Sequence, residues 1–212
     1  MLSRVQNNLN LGSRIQVFVQ SSPARMAVII SVLLFAVTVA INPMSLNTNA
    51  FSSILLLTLL LSFASAGQTM VLIGGGLDFT VGAVMSSAAI LTTYIMNGQN
   101  GTFLLVFGLA MAMGAAIGFL NGFCAVKIEL PPMIVTMAIS NVVTRLSYVL
   151  TQGTPSGYAS PNFVNSVIGK IGGIVPSLTL YALILWPLIF FLLNFSRFGK
   201  QLYLMGNNPT AA

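Results

Sequence analysis

Two stretches without a single charged side chain, residues 26–77 and 79–126, take up nearly half of this 212-residue sequence. Ordinary soluble domains are about 25% charged, whereas here 5% of residues are charged and 56% are hydrophobic. A water-soluble core of this length could not hide so much apolar sequence. In lipid the backbone must satisfy its own polar groups, which restricts a spanning chain to helices or a closed barrel. Barrel strands would alternate apolar and polar residues, and these runs do not. The expected fold is therefore all-α, a polytopic transmembrane bundle.

A helix needs ~20 mostly apolar residues to cross the hydrocarbon. Apolar runs between polar breaks predict six spans at about 26–44, 51–73, 81–97, 103–126, 131–151 and 177–195. They divide the chain into an N-terminal segment 1–25, a membrane region 26–196 and the start of a further polar segment at 197–212. An even number of spans puts both termini on one side. Arg4, Arg14, Arg25, Lys127, Arg197 and Lys200 then share that side, and Lys170 alone faces the other. The positive-inside rule makes the shared side cytoplasmic. Residues 1–25 are too long and too mixed for the start of a cleaved signal peptide, so the first apolar run is expected to remain as a span.

The net charge of +6 raises the question of nucleic acid, but the eight basic residues are scattered singly with no aromatic-basic patch, and no nucleic-acid partner is expected. Catalysis lacks material as well: there is no histidine, and Asp78 and Glu129 are the only carboxylates. No metal site, cofactor or acid-base pair is expected from that set. Residues 74–76 are not part of a G-x-x-x-x-G-K-[ST] phosphate loop, so any use of ATP would fall to another subunit. Cys124, the single cysteine, reads as a small packing residue.

Four features stand out. Gly74, Gly75 and Gly76 interrupt the chain between the second and third spans, followed by Asp78, Thr80 and Gly82. Three glycines do not stay helical easily, and Asp78 and Thr80 fall where an N-cap would accept from the next helix. Two readings stay open: a helix-turn-helix corner, or a hinge at the membrane surface marked by a lone carboxylate. Gly114, Gly118 and Gly122 form a small-xxx-small ladder on one face of the fourth span, which points to close helix packing. Gln68, Asn121, Asn141 and Arg145 are polar groups within apolar spans and are candidates for a translocation path, because such groups avoid lipid. For Arg145, snorkelling to the headgroups is the simpler alternative. Finally, residues 152–176 form a long outer connection rich in Gly and Pro, with room for a short surface helix at 162–174.

Together these stretches resemble the membrane permease of ribose-type bacterial ABC sugar importers. Residues 67–73 (Gly-Gln-Thr-Met-Val-Leu-Ile) and 75–82 (Gly-Gly-Leu-Asp-Phe-Thr-Val-Gly) are similar to the family pattern G-x-T-x-V-I followed by G-G-I-D-L-S-V-G. Gly114 to Gly122 resembles its glycine-rich fourth span, and Pro132 to Thr136 its entry to the fifth. Gly199-Lys200, then Gly206, Asn207, Asn208, Ala211 and Ala212, resemble its glycine-basic pair and G-x-N-x-x-A-A segment. Leu77, Phe79 and Thr80 depart from the pattern conservatively.

The resemblance implies a non-catalytic subunit in the lipid bilayer of the bacterial inner membrane. It implies a second permease subunit, cytoplasmic ATP-binding subunits and an extracytoplasmic sugar-binding protein as partners. It also implies ATPase coupling through Lys200, Gly206, Asn207, Asn208, Ala211 and Ala212. Such permeases continue through more spans, so the chain is expected to match the N-terminal two-thirds of one and to transport poorly alone. The alternatives are a branched-chain amino acid permease of the same architecture, an ATPase-independent channel or secondary transporter, and a membrane scaffold. A secondary transporter would want matched inverted halves and intramembrane proton or ion ligands, which this sequence does not offer.

Overall fold

The computed structural model describes residues 22–207, and these are almost entirely helical. The chain divides into two units, Met1–Phe51 and Ser52–Ala212. In the first, helix α1 (Pro23–Ile41) leads into a 3-10 turn (Pro43–Leu46) whose first N–H groups are met by Asn42, with its Oδ1 accepting from the Met44 N–H at 3.1 Å. No described residue of α1 is buried, and its leucine, valine and isoleucine side chains face outward as a lipid-facing span requires. Helix α2 (Thr48–Ile73) begins in this unit and runs on through the second.

The second unit continues with α3 (Val81–Met96), α4 (Phe103–Lys127) and α5 (Pro132–Leu150), which pack on one another. A short helix α6 (Pro161–Ile168) follows, then a two-stranded hairpin of β1 (Lys170–Ile171) and β2 (Val175–Pro176), then α7 (Leu178–Phe195) and α8 (Arg197–Asn207). The hairpin pairs Lys170 with Pro176 and Ile171 with Val175. The short helix expected within 162–174 is thus α6, with Gly169 between its end and the hairpin. Ser160, 1% exposed, caps α6 by accepting from the Phe163 N–H at 3.4 Å.

Each of the six apolar runs overlies a helix, and five helices are long and apolar enough to cross a membrane. The third falls short: 16 residues give α3 a length of about 24 Å against a hydrocarbon core of ~30 Å. It nevertheless runs alongside α5 in the same direction. The Thr136 hydroxyl donates to the Leu77 carbonyl just before α3 begins, and Ser87 hydrogen-bonds Ser147 further along both helices. Non-helical residues 74–80 make up part of the missing length, which is tolerated at membrane depth where protein covers the backbone.

The end of α2, the start of α3 and α8 meet at one end of this unit, where Lys127, Arg197 and Lys200 also lie. At the other end the Gly98 N–H donates to the Tyr158 carbonyl at 2.9 Å, and Asn100 Oδ1 accepts from the Asn162 N–H at 3.2 Å. Helix α8 belongs to the second unit and packs on α7.

Candidate functional site: a bonded glycine-aspartate corner

The corner between α2 and α3 is built from the backbone outward. Helix α2 ends in a Schellman motif, with Gly75 left-handed at φ +82. The Gly76 N–H reaches back to the Val71 carbonyl and the Gly75 N–H to that of Leu72, both at 3.0 Å. Two carbonyls that a helix end would leave unpaired are thereby satisfied, and glycine supplies the one conformation that side chains resist. The chain then extends through Leu77 to Asp78.

Asp78 Oδ1 accepts twice from Thr80, from its backbone N–H at 2.7 Å and from its hydroxyl at 2.6 Å. Thr80 is 2% exposed, and its hydroxyl also accepts from Asn121 Nδ2 on α4 at 3.0 Å. This corrects the expectation that Asp78 and Thr80 cap α3: no side chain caps its first turn. The Thr80 hydroxyl is committed across to α4, and Asp78 holds the turn before the helix instead. On α5 the Thr136 hydroxyl, 4% exposed as a residue, donates to the Leu77 carbonyl at 3.2 Å and shares its proton with Met133 at 3.3 Å. One corner of seven residues is thus bonded to two different spans.

Helix α8 closes over the same corner. Leu202, 8% exposed, places its Cδ1 so that a Cβ at Gly74 would stand 3.1 Å away. A side chain at position 206 would collide with the Ile73 carbonyl, and the Gly206 Cα lies against Gly75. Two of the hinge residues read from sequence, Gly74 and Gly75, therefore meet Gly206 of the coupling set directly. Lys200, from the same set, is exposed beside a shallow groove with Tyr203 and Leu204. Asn207 is the last described residue, and Asn208, Ala211 and Ala212 lie outside the described residues.

The four path candidates do not converge. Asn121 joins the corner, with its Oδ1 buried and unbonded. Gln68 on α2 is half-buried, and its Oε1 likewise lacks a partner. Asn141 and Arg145 share an exposed face of α5, where Asn141 Nδ2 donates to the Met137 carbonyl of its own helix at 2.9 Å.

In the glycine ladder only Gly114 nears a neighbour, with Val84 of α3 at 4.0 Å from a Cβ built there. Gly118 and Gly122 face open space, as does Gly82. No helix of the described residues approaches closely at those two ladder positions. Among the described residues no three His, Cys, Asp or Glu side chains gather as metal ligands. Sequence reasoning missed the Ser87–Ser147 bond and the role of Thr136, although small polar residues inside apolar spans are the signal for both.

A polytopic α-helical membrane protein with a hydrogen-bonded non-helical corner under an amphipathic terminal helix is the class that these features define. The chain belongs to the family described as the permease component of the branched-chain amino acid transport system, whose profile matches residues 50–212. It is 28% identical to the inner membrane ABC transporter permease protein YjfF of Escherichia coli, over 78% of this chain and 51% of that protein. It is 29% identical to the galactose/methyl galactoside import permease MglC of Haemophilus influenzae, over 85% of this chain and 59% of that one. For the ribose import permease RbsC of Bacillus subtilis the figures are 28% identity, 69% and 45%. The chain therefore spans about half the length of the curated relatives it matches. No solved structure matches.

Proposed function

We propose that the chain supplies the N-terminal spans of an ABC importer permease for a simple sugar, with its charged ends 127, 197 and 200 towards the cytoplasm. The sugar class is favoured by relatives named as galactose and ribose import permeases. The family description names branched-chain amino acids and keeps that substrate as the second reading. The observation that carries the proposal is the contact of α8 with the corner. The segment that resembles an ATPase-coupling element lies on Gly74 and Gly75, and the residues just after them are bonded to α4 and α5.

On this reading the chain does no chemistry. ATP binding and hydrolysis belong to a partner subunit, a second permease completes the path, and a binding protein delivers substrate. A push on α8 would be felt at 74–76 and passed on through the Asp78–Thr80–Asn121 bonds and the Leu77–Thr136 bond. Reconstitution of the chain with the ATP-binding subunits and binding protein tests this. Sugar-loaded binding protein is expected to stimulate ATP hydrolysis only when the chain is present. Stimulation by leucine-loaded and not by sugar-loaded protein would move the reading to amino acids, and hydrolysis indifferent to the chain would refute it.

A further inference from the structure

Between α3, α4 and α5, away from the corner, lies a cavity of about 560 Å³. It runs along α5 from Ile139 to Thr151, about 18 Å of helix at 1.5 Å per residue, close to the ~15 Å depth of one leaflet. Tyr94 and Thr151 stand at the end near the helix termini, and Leu120 and Ile139 towards the other. Its serine and threonine hydroxyls are already spent: Ser87 and Ser147 bond each other at 2.7 Å, and Thr151 donates to the Ser147 carbonyl at 2.8 Å. Only the Tyr94 hydroxyl, exposed at the mouth, is left to meet a polar group, and the rest of the wall is apolar. Helices dock preferentially on small-residue faces, and α4 carries its small face, with Gly118 and Gly122, on a different side from the residues that line the cavity.

Arg145 adds a second, independent observation. It is exposed on α5, in a groove that shares Val142 and Leu146 with the cavity. The chain's two carboxylates, Asp78 and Glu129, lie at the opposite end, about 20 Å away along α5 from Pro132. No acid of this chain can neutralise the guanidinium. Arg145 is about 8 Å of helix from Leu150, so its side chain can snorkel to the phosphate level.

We propose that this face holds one anionic phospholipid, with its phosphate on Arg145 and one acyl chain in the α3–α4–α5 cavity. The proposal rests on membrane insertion alone, so it stands or falls independently of the importer reading. The test is native mass spectrometry of the full chain released from vesicles of phosphatidylglycerol or phosphatidylcholine. Wild type is expected to retain one phosphatidylglycerol. Arg145→Gln should reduce the preference for it over phosphatidylcholine about fivefold, the effect of one basic charge near an anionic surface, and Arg145→Lys should restore most of it. Ala116→Phe, which fills the cavity, should abolish retention of both lipids, with Val143→Phe as a second plug should the first lose helicity by circular dichroism. Equal retention in wild type, Arg145→Gln and the plugged variants would overturn the proposal. So would a second copy of the chain retained in place of lipid.

Discussion

Replacing Thr80 by valine keeps the shape of the most deeply buried side chain in the corner and removes only its hydroxyl. That hydroxyl donates to Asp78 at 2.6 Å and accepts from Asn121 at 3.0 Å, so two bonds vanish at once. A hydrogen bond to a carboxylate contributes about 1.5–3 kcal/mol. An interhelical bond within a membrane bundle averages about 0.6 kcal/mol and reaches about 1.7. Because Asn121 Oδ1 is already buried without a partner, the variant leaves the whole amide unsatisfied. The expected loss is about 2–4 kcal/mol. It can be read by titrating the chain in mixed micelles with SDS and following helicity by circular dichroism. A cycle with Asn121→Leu isolates the α3–α4 bond: the two losses should fall short of additive by about 0.6–1.7 kcal/mol. A Thr80→Val chain within about 0.5 kcal/mol of wild type would refute the bonded corner, since surface-like substitutions fall in that range. Strict additivity with Asn121→Leu would refute the bond between the helices even if Thr80 itself proved costly.

Gly206→Val should force α8 away from the Ile73 carbonyl, because the obstacle is backbone and cannot rotate aside. A loss of about 1–3 kcal/mol is expected, with faster tryptic cleavage at Arg197 and Lys200; unchanged cleavage would mean that α8 does not rest on the corner. Gly118→Ala meets nothing within 4 Å and sits inside α4, so it should stabilise the isolated chain by about 0.5–1 kcal/mol in the same titration. A loss of stability at that position in the chain alone would contradict the open face seen there.

The spans are legible in the sequence because hydrocarbon thickness is a strict filter on apolar runs. The run at 103–126 overlies Phe103–Lys127, and that at 51–73 ends with α2 at Ile73. Which way each helix faces is another matter. In water an apolar stripe marks the buried side, but in a bilayer the outer face is apolar too. On α3 the buried Ala83 and the 45%-exposed Met85 carry no difference in hydropathy that would tell them apart. Only small and polar residues report on contacts there, and they report possibility without naming a partner.

The contrast between Asn121 and the glycine ladder on the same helix follows from this. An amide in lipid must find a bond, and Asn121, one of the four path candidates, finds one across to α3. Its partner, the Thr80 hydroxyl 41 positions earlier, could be chosen only by the fold. Glycines require nothing, and Gly118 and Gly122 are open where close packing was expected. A polar residue in a span is thus a demand that the fold must meet, while a small one is an offer that a neighbour takes up or leaves. The corner gathers three such demands, from Asp78, Asn121 and Thr136, around one backbone turn that only glycine makes easily. A substitution there is expected to disturb two spans together, as the proposed joint under α8 requires.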